Sequence, residues 1–165
     1  MRKIELKDLS FNPTELLRKR WALLTLADGE GCNPMTVSWG NIGNLWNLPV
    51  VTVYVRPQRY TRGLIDKEEY FSLTFLPEEM HDAVVLCGAK SGRDTDKVKE
   101  CGLTVLHDEK APYFAEGELT FICRKVYEQD MLGQCFTDPA VDAKEYPKKD
   151  YHRMYVGEIV AVLEK

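Results

Sequence analysis

Short apolar runs that alternate with polar residues mark most of this chain as β-strand. The runs are rich in β-branched and aromatic residues, and glycine, asparagine and aspartate separate them, as is typical of strands joined by turns. The pattern predicts strands over residues 21–27, 33–39, 50–55, 70–76, 116–127 and 155–163. Residues 40–44 contain two glycines, and we expect this segment not to form a regular strand, because glycine weakens strand interiors.

Helical signals are shorter and fall between the predicted strands. Asn12 and Pro13 suit the N-cap and first position of a helix that reaches residue 20. Further helices are predicted over residues 60–69, 78–88, 94–101 and, as a single turn, 138–146. Since helices occur only as insertions between strands, and no linker or repeat divides the chain, we predict one domain over residues 1–165. Its fold class is mainly β, and one antiparallel barrel is favoured over a parallel α/β sheet.

Composition and charge limit the function classes. The chain has 165 residues, a formal net charge of -4 and 5 cysteines, with no Cys-x-x-Cys pair. This charge argues against general nucleic-acid binding but allows a local basic pocket. The first ten residues lack the apolar core of a signal peptide, and no apolar run is long enough to span a bilayer. We expect a cytoplasmic protein with reduced thiols and with no nucleic-acid or membrane partner.

The clearest candidate for a binding site follows the apolar run VVTVYV. There Arg56, Arg59 and Thr61 lie within six residues, with Pro57 between the arginines and a predicted helix beginning nearby. Guanidinium groups, a hydroxyl and the first N–H groups of a helix are the donors that hold phosphate best. The alternative is a solvated surface loop in which Thr61 only caps the helix. The residues by themselves leave both interpretations open.

Two other segments could complete such a site. Around Thr36-Val37-Ser38-Trp39 a strand breaks into small residues, so its backbone could bind the edge of a flat polar heterocycle, with Trp39 and Trp46 beside the ring. A bulged strand end with two core tryptophans fits equally well. In residues 90–97 a glycine between Ser91 and Arg93 would let backbone approach a phosphate, although Asp94 as an N-cap in a solvated loop is the alternative.

The remaining motifs argue against other chemistry. His81, His107 and His152 are not spaced as metal ligands, so no metal site is predicted. The patterns Gly-x-Gly-x-x-Gly and Gly-x-Ser-x-Gly are both absent, which disfavours a dinucleotide-binding fold and an α/β-hydrolase.

From about Trp21 to its C-terminus the sequence resembles the flavin reductase-like family of FMN-binding split barrels, which includes flavoredoxin. Three segments carry the resemblance: residues 33–39, 56–61 and 152–159. They are similar, in order, to the strand that reads the isoalloxazine edge, to the phosphate loop, and to the Gly-Asp-His motif with its following strand. Here Asp150-Tyr151-His152 stands in place of Gly-Asp-His, so the carboxylate lies one residue early.

The resemblance implies an antiparallel split β-barrel that forms a homodimer with FMN at the interface. It implies NAD(P)H-dependent flavin reductase activity, in which NADH or NADPH gives hydride to flavin N5, with free flavin or a partner protein as electron acceptor. His152 would lie near the nicotinamide, and Trp39, Trp46 and Tyr155 suit the interface wall or the core. The implied cofactor-binding residues are Thr36, Val37, Ser38, Trp39, Arg56, Arg59, Thr61, Ser91 and Lys97.

Three alternatives to a reductase stay open at this stage. The first is a flavoredoxin-like FMN electron carrier without its own NAD(P)H site, which the altered Asp-Tyr-His segment favours. The second is an oxidase of the pyridoxamine-phosphate-oxidase type, and the third is a barrel that has lost its flavin.

Overall fold

A computed structural model describes residues 1–165, and one curved antiparallel sheet dominates it. The strands are β1 (Arg2–Ile4), β2 (Ala22–Asp28), β3 (Gly31–Val37), β4 (Gly40–Leu45), β5 (Leu48–Val55), β6 (Tyr70–Phe75), β7 (Val105–Leu106), β8 (Tyr113–Phe114), β9 (Leu119–Asp130) and β10 (Arg153–Glu164). Their order in the main sheet is β3-β2-β6-β9-β10-β5-β4, with β1 paired to β10, while β7 and β8 form a separate pair.

The helices are short and lie between the strands. They are α1 (Pro13–Glu15), α2 (Tyr60–Ile65), α3 (His81–Ala89), α4 (Lys97–Glu100) and α5 (Pro139–Glu145). A π-helical turn over Leu16–Arg20 extends α1, and the Asn12 side chain caps α1 by accepting from the backbone of Thr14 and Glu15. No helix combines the length and the apolar character that crossing a membrane would require.

The sheet curves into a barrel because strands from its two ends share one core. Met35 on β3 and Val53 on β5 belong to the same apolar cluster as Phe71 on β6 and Phe121 on β9. The edge strands β3 and β4 do not pair with each other, so the barrel is split. The prediction of a mainly β, antiparallel split barrel is therefore confirmed.

A second, smaller core fixes α3 and α4 against the outside of the barrel. Leu23 of β2 points away from the main core and packs with Val84 and Cys87 of α3, which follows from the alternation of side chains along a strand. At Gly88 an added Cβ would lie 3.2 Å from the Thr36 side chain, so α3 sits close against β3. This contact sets the position of the segment that joins α3 to α4.

The prediction for residues 40–44 was wrong, because this segment is strand β4. It pairs with β5 from Gly40 opposite Val53 to Leu45 opposite Leu48. Glycine is what permits the pairing here, since a Cβ at Gly40 would lie 2.7 Å from the Thr52 carbonyl oxygen. Trp46 and Asn47 make the connecting turn with φ of 56° and 60°. This left-handed conformation usually favours glycine, and neither residue is glycine, so the sequence did not predict the turn.

Other differences concern short elements and boundaries. Strands β1, β7 and β8 have three residues or fewer and gave no alternation to recognise. The helix predicted over residues 60–69 ends at Ile65. The helix predicted over residues 94–101 is limited to α4, and its N-cap is Asp96, whose side chain accepts from the Lys99 backbone, and not Asp94.

Candidate functional site

Two adjoining cavities lie where β3, β5, α2 and the start of β10 meet. The pairing of Val55 with Arg153 places the exit of β5 beside the segment that leads into β10. One cavity, about 180 Å³, is lined by β3 and β5 residues and is called the strand-side cavity. The other, about 390 Å³, is lined by α2 and the α3–α4 segment and is called the loop-side cavity. Met35, Arg56 and Arg59 line both, so the two form one continuous cleft.

The nine residues implied to bind the cofactor, together with His152, all border this cleft. The strand-side cavity has Thr36, Val37, Ser38, Trp39 and His152. The loop-side cavity has Thr61, Ser91 and Lys97, and Arg56 and Arg59 lie between the two.

Lys97 is a buried cation without an acidic partner. Lys97 is only 4% exposed, and its ammonium group donates to the Pro34 carbonyl oxygen. Burial, with a smaller contribution from the Arg59 charge, lowers the pKa of Lys97 below its usual value. A desolvated charge of this kind is costly unless an anion joins it. Lys97 therefore makes the loop-side cavity suited to an anionic ligand.

Two arginines add uncompensated charge to the same cavity. Arg59 donates to the Gly88 carbonyl oxygen at 2.8 Å. Arg93 donates to the Gln58 carbonyl oxygen at 3.3 Å and lies over the Tyr60 ring. Both guanidinium groups thus use carbonyl oxygens and not carboxylates. With Lys97, they make three cations at the loop-side cavity that have no carboxylate partner. A dianionic phosphate is the small group that such a set of donors fits best.

Arg56 differs from Arg59 because a carboxylate already holds it. Its Nη1 lies 2.6 Å from Oδ2 of Asp150, and its Nη2 donates to the Glu145 carbonyl oxygen at 3.0 Å. Gln58 also donates to Asp150, at 2.9 Å, and these two hydrogen bonds lower the pKa of Asp150 to about 2. Asp150, the carboxylate that lies one residue early in the sequence, is therefore the counterion of Arg56.

Thr61 and Asn33 form a buried polar pair beneath the loop-side cavity. Thr61 is 1% exposed, and its hydroxyl accepts from Nδ2 of Asn33 at 2.9 Å, which leaves the hydroxyl proton available for another acceptor. Asn33 Oδ1 is buried without a partner. Thr61 is not the N-cap of α2, because that position is Arg59. The role of Asn33 was missed, since an asparagine within a strand gives no signal of its own.

Ser91 and Gly92 shape the loop that closes this cavity. The Ser91 hydroxyl accepts from the Arg93 backbone at 3.2 Å, which holds a tight turn. A Cβ at Gly92 would overlap Oδ1 of Asn33. Glycine is therefore needed for the loop to approach β3 this closely.

The strand-side cavity is aromatic and close to neutral. The Trp39 ring is 5.2 Å from that of His152 and 44% of the residue is exposed. His152 Nδ1 and the Tyr146 hydroxyl share a hydrogen bond of 2.8 Å. Burial, reinforced by the Arg56 charge, lowers the pKa of His152 to about 4, so the imidazole is uncharged at neutral pH. The hydroxyl of Thr36 donates to the Val84 carbonyl oxygen, and β3 is an edge strand, so one edge of its backbone has no partner strand.

Two aromatic residues named from the sequence lie elsewhere. Trp46 lies on the β4–β5 turn against Tyr127, with 56% of the residue exposed, and it borders neither cavity. Tyr155 is completely buried in the core, where its hydroxyl donates to Asp66 at 2.5 Å.

Known proteins share sequence features and the fold with this chain. The sequence model of the flavin reductase like domain matches residues 18–165, whereas no curated protein matches the chain in sequence. Among solved structures, flavoredoxin from Methanosarcina acetivorans has a TM-score of 0.69 and 25% identity, over 100% of this chain and 76% of that one.

Two other solved structures share the fold. An FMN-binding protein from Thermus thermophilus with bound 1-cyclohex-2-enone has a TM-score of 0.68 at 22% identity, over 99% of this chain and 80% of that one. A Streptomyces globisporus NADH:FAD oxidoreductase has a TM-score of 0.65 at 14% identity, over 88% of this chain and 74% of that one.

Proposed function

This chain belongs to the flavin reductase-like domain family, and from that premise we propose that it binds FMN and acts as an NAD(P)H-dependent flavin reductase. The observation that carries the proposal is the continuous cleft, which has uncompensated cations at one end and an aromatic, neutral wall at the other. FMN has the same asymmetry, with a dianionic phosphate at one end and a planar ring at the other.

The donors present fit the phosphate of FMN. Lys97 supplies a buried cation, Arg59 a guanidinium fork and Thr61 a hydroxyl with a free proton. Ser91 and the glycine after it allow the loop backbone to approach. Arg56, which Asp150 neutralises, would align the strands at the middle of the cleft and contribute less to the phosphate.

The strand-side cavity would hold the ring system, which supplies the redox chemistry when it is bound. The β3 backbone from Thr36 to Ser38 would donate to and accept from the polar edge of the ring. Trp39 and His152 would cover one end and exclude water there. Because His152 is neutral above a pKa of about 4, it would offer a neutral hydrogen-bonding group and not a charge to a nicotinamide nearby.

An FMN electron carrier that accepts electrons from a partner protein is the second candidate. One observation favours it: the strand-side cavity contains no cation that is free of a carboxylate except Arg59 at its border. The phosphates of NADH or NADPH would then find few partners on that side. In this case the electron donor and acceptor would be proteins and not nicotinamide and free flavin.

Spectroscopy and anaerobic reduction distinguish these functions. We expect the purified protein to absorb in the flavin band after FMN is added, and NADH or NADPH to bleach it without oxygen. Bleaching by dithionite but by neither nicotinamide would support the carrier. A protein that binds no FMN at micromolar concentration would refute both proposals.

Substitution of Arg59 tests the proposed site. Arg59→Ala removes a charge-assisted hydrogen bond worth about 1.5–3 kcal/mol, which weakens FMN binding by about 10- to 140-fold. Arg124→Ala is the matched control, because Arg124 lies on β9 and pairs with Glu158 outside the cleft. An FMN dissociation constant of Arg59→Ala that equals those of Arg124→Ala and the unsubstituted protein would show that Arg59 does not bind the phosphate.

We also propose that residues 1–165 act as one domain of a cytoplasmic homodimer, in keeping with the five free cysteines. Trp39, Leu45 and Trp46 are large apolar residues with 44%, 38% and 56% exposure on or beside β4, and a second copy would cover them. Trp39 also borders the cleft. Light scattering should give twice the mass of 19.0 kDa, and Trp46→Glu should halve it. A monomer in the unsubstituted protein would refute the dimer.

A further inference from the structure

Two cysteines face each other in the second, smaller core, where α3 and α4 pack together. Cys87 on α3 and Cys101 just after α4 have their sulfur atoms 3.8 Å apart. Cys87 is completely buried, whereas Cys101 is partly exposed and also lies 3.7 Å from the Ala83 carbonyl oxygen. A disulfide needs a sulfur–sulfur distance of about 2.05 Å, so an approach of less than about 2 Å would join them.

The segment between these cysteines carries one side of the proposed phosphate site. Ser91, Arg93 and Lys97 all lie between Cys87 and Cys101 in the chain and line the loop-side cavity. The segment packs against β3 through Gly92 and Asn33. A bond between the two sulfur atoms would therefore close a covalent ring that contains Arg93 and Lys97, two of the three cations without a carboxylate partner.

We propose that Cys87 and Cys101 form a reversible disulfide that locks the α3–α4 segment in the arrangement seen here. The bond itself does not depend on the proposed function, but its effect on FMN affinity does. In the oxidised protein the segment has fewer conformations when the cavity is empty. The segment therefore loses less conformational entropy when a phosphate binds.

The chemistry is a thiol–disulfide exchange with a low-molecular-weight disulfide such as oxidised glutathione. Cys101, the accessible thiol, loses its proton and attacks one sulfur, which forms a mixed disulfide and releases one glutathione thiolate. Cys87 then loses its proton and displaces the second glutathione thiolate. The protein loses two electrons and two protons, and the oxidant becomes two molecules of glutathione.

Burial raises the pKa of Cys87 to about 12 and also raises that of Cys101. Since the thiolate is the attacking species, the exchange should be slow at neutral pH and faster as the pH rises. The nearby Lys97 ammonium acts in the opposite direction on both thiols.

Peptide mapping of the full chain tests the bond without any flavin. After incubation with oxidised glutathione, alkylation should label three of the five cysteines. Trypsin should then release residues 68–90 linked to residues 100–110, and the linkage should disappear with dithiothreitol. Cys101→Ser should abolish the linkage, and Cys135→Ser, which removes an exposed thiol elsewhere, should preserve it. Alkylation of all five thiols, or a bond that instead involves Cys32, would overturn the proposal.

Two further measurements test the locking effect. Closing a loop of this length should raise the melting temperature of the ligand-free protein by about 6–12 °C. FMN should bind at least threefold more tightly to the oxidised form, while riboflavin, which lacks the phosphate, should not distinguish the forms. Equal FMN affinities of the oxidised and reduced forms would refute the locking. If neither form binds FMN while the melting temperature rises, the proposed function fails and the disulfide stands.

Discussion

Lys97→Met is the substitution that tests the electrostatics of the loop-side cavity most directly. Methionine keeps the length of the buried side chain and removes its charge. Because the lysine cation is 4% exposed and has no carboxylate partner, its removal abolishes a desolvation cost in the empty protein. The substitution also removes the hydrogen bond to the Pro34 carbonyl oxygen, worth about 1 kcal/mol. These effects oppose each other, so the unfolding free energy should change by no more than about 1 kcal/mol.

The effect on ligand binding should be much larger. A charge-assisted hydrogen bond to phosphate contributes about 1.5–3 kcal/mol, which corresponds to a rise of about 10- to 140-fold in the dissociation constant for FMN. Riboflavin has no phosphate, so its affinity should be the same in the variant and the parent. Lys99→Met is the matched control, because Lys99 is exposed on the same helix.

The pH dependence of stability and of FMN affinity provides a second, independent test of the Lys97 charge. Lys97 has a pKa below its usual value of 10.5, so it loses its proton in the folded protein before it does so in the unfolded chain. As the pH rises over that range, the empty protein should gain stability and FMN affinity should fall. Both trends should be absent from Lys97→Met.

The assay is titration of FMN fluorescence at several pH values, together with urea unfolding of the empty protein. If Lys97→Met and Lys99→Met bind FMN equally well, Lys97 is not a phosphate ligand and the reasoning from its burial is wrong. If Lys97→Met loses riboflavin affinity to the same extent as FMN affinity, the substitution has disturbed the whole cleft.

Three further predictions concern the fold and the strand-side cavity. The pKa of His152 is about 4 in the folded protein against an ordinary 6.5, so acidification from pH 6.5 to 4 should lower the unfolding free energy by about 3 kcal/mol. His152→Gln should lack that part of the shift in urea midpoint. An identical shift in both proteins would contradict the role of His152. Gly157→Ala places a Cβ 2.5 Å from the Phe71 ring and should lower the unfolding free energy by about 1–3 kcal/mol, so equal urea midpoints would refute the packing described. Asp150→Asn should free Arg56 and tighten inorganic phosphate binding severalfold by calorimetry, whereas unchanged or weaker binding would show that the carboxylate does not restrain the guanidinium.

The sequence predicted the barrel well because the hydrophobic residues of its strands recur with the period of a β-strand. Residues 70–76 and 116–127 alternate in hydrophobicity, and both became strands of the main sheet, β6 and β9. The β4 strand was missed because its stability comes from a partner strand: Gly40 is extended only because β5 lies close beside it. Local propensity contains no information about such a neighbour.

The sequence named residues that the structure brings together in one cleft, but it did not predict how their charges are balanced. The motif around Arg56 and Arg59 indicated a phosphate loop, and the structure brings both arginines to one cleft with Lys97. The two arginines differ because only Arg56 pairs with Asp150, which is 94 residues from it in the chain. Pairing over such a distance in the chain depends on the register of β5 with β10. No sequence motif at Arg56 or at Asp150 predicts this register.

The unequal pairing of the arginines also has a kinetic consequence. The chain as a whole has a net charge of -4, so at long range it repels a dianion. The Arg56–Asp150 pair cancels one positive charge at the middle of the cleft, whereas Arg59, Arg93 and Lys97 keep theirs along the loop-side cavity. An approaching molecule with a single anionic end is therefore turned by the field before contact and enters with that end first. Electrostatic steering of this kind raises association rates and weakens with ionic strength, so the orientation of the ligand is selected during the encounter as well as by the contacts that follow.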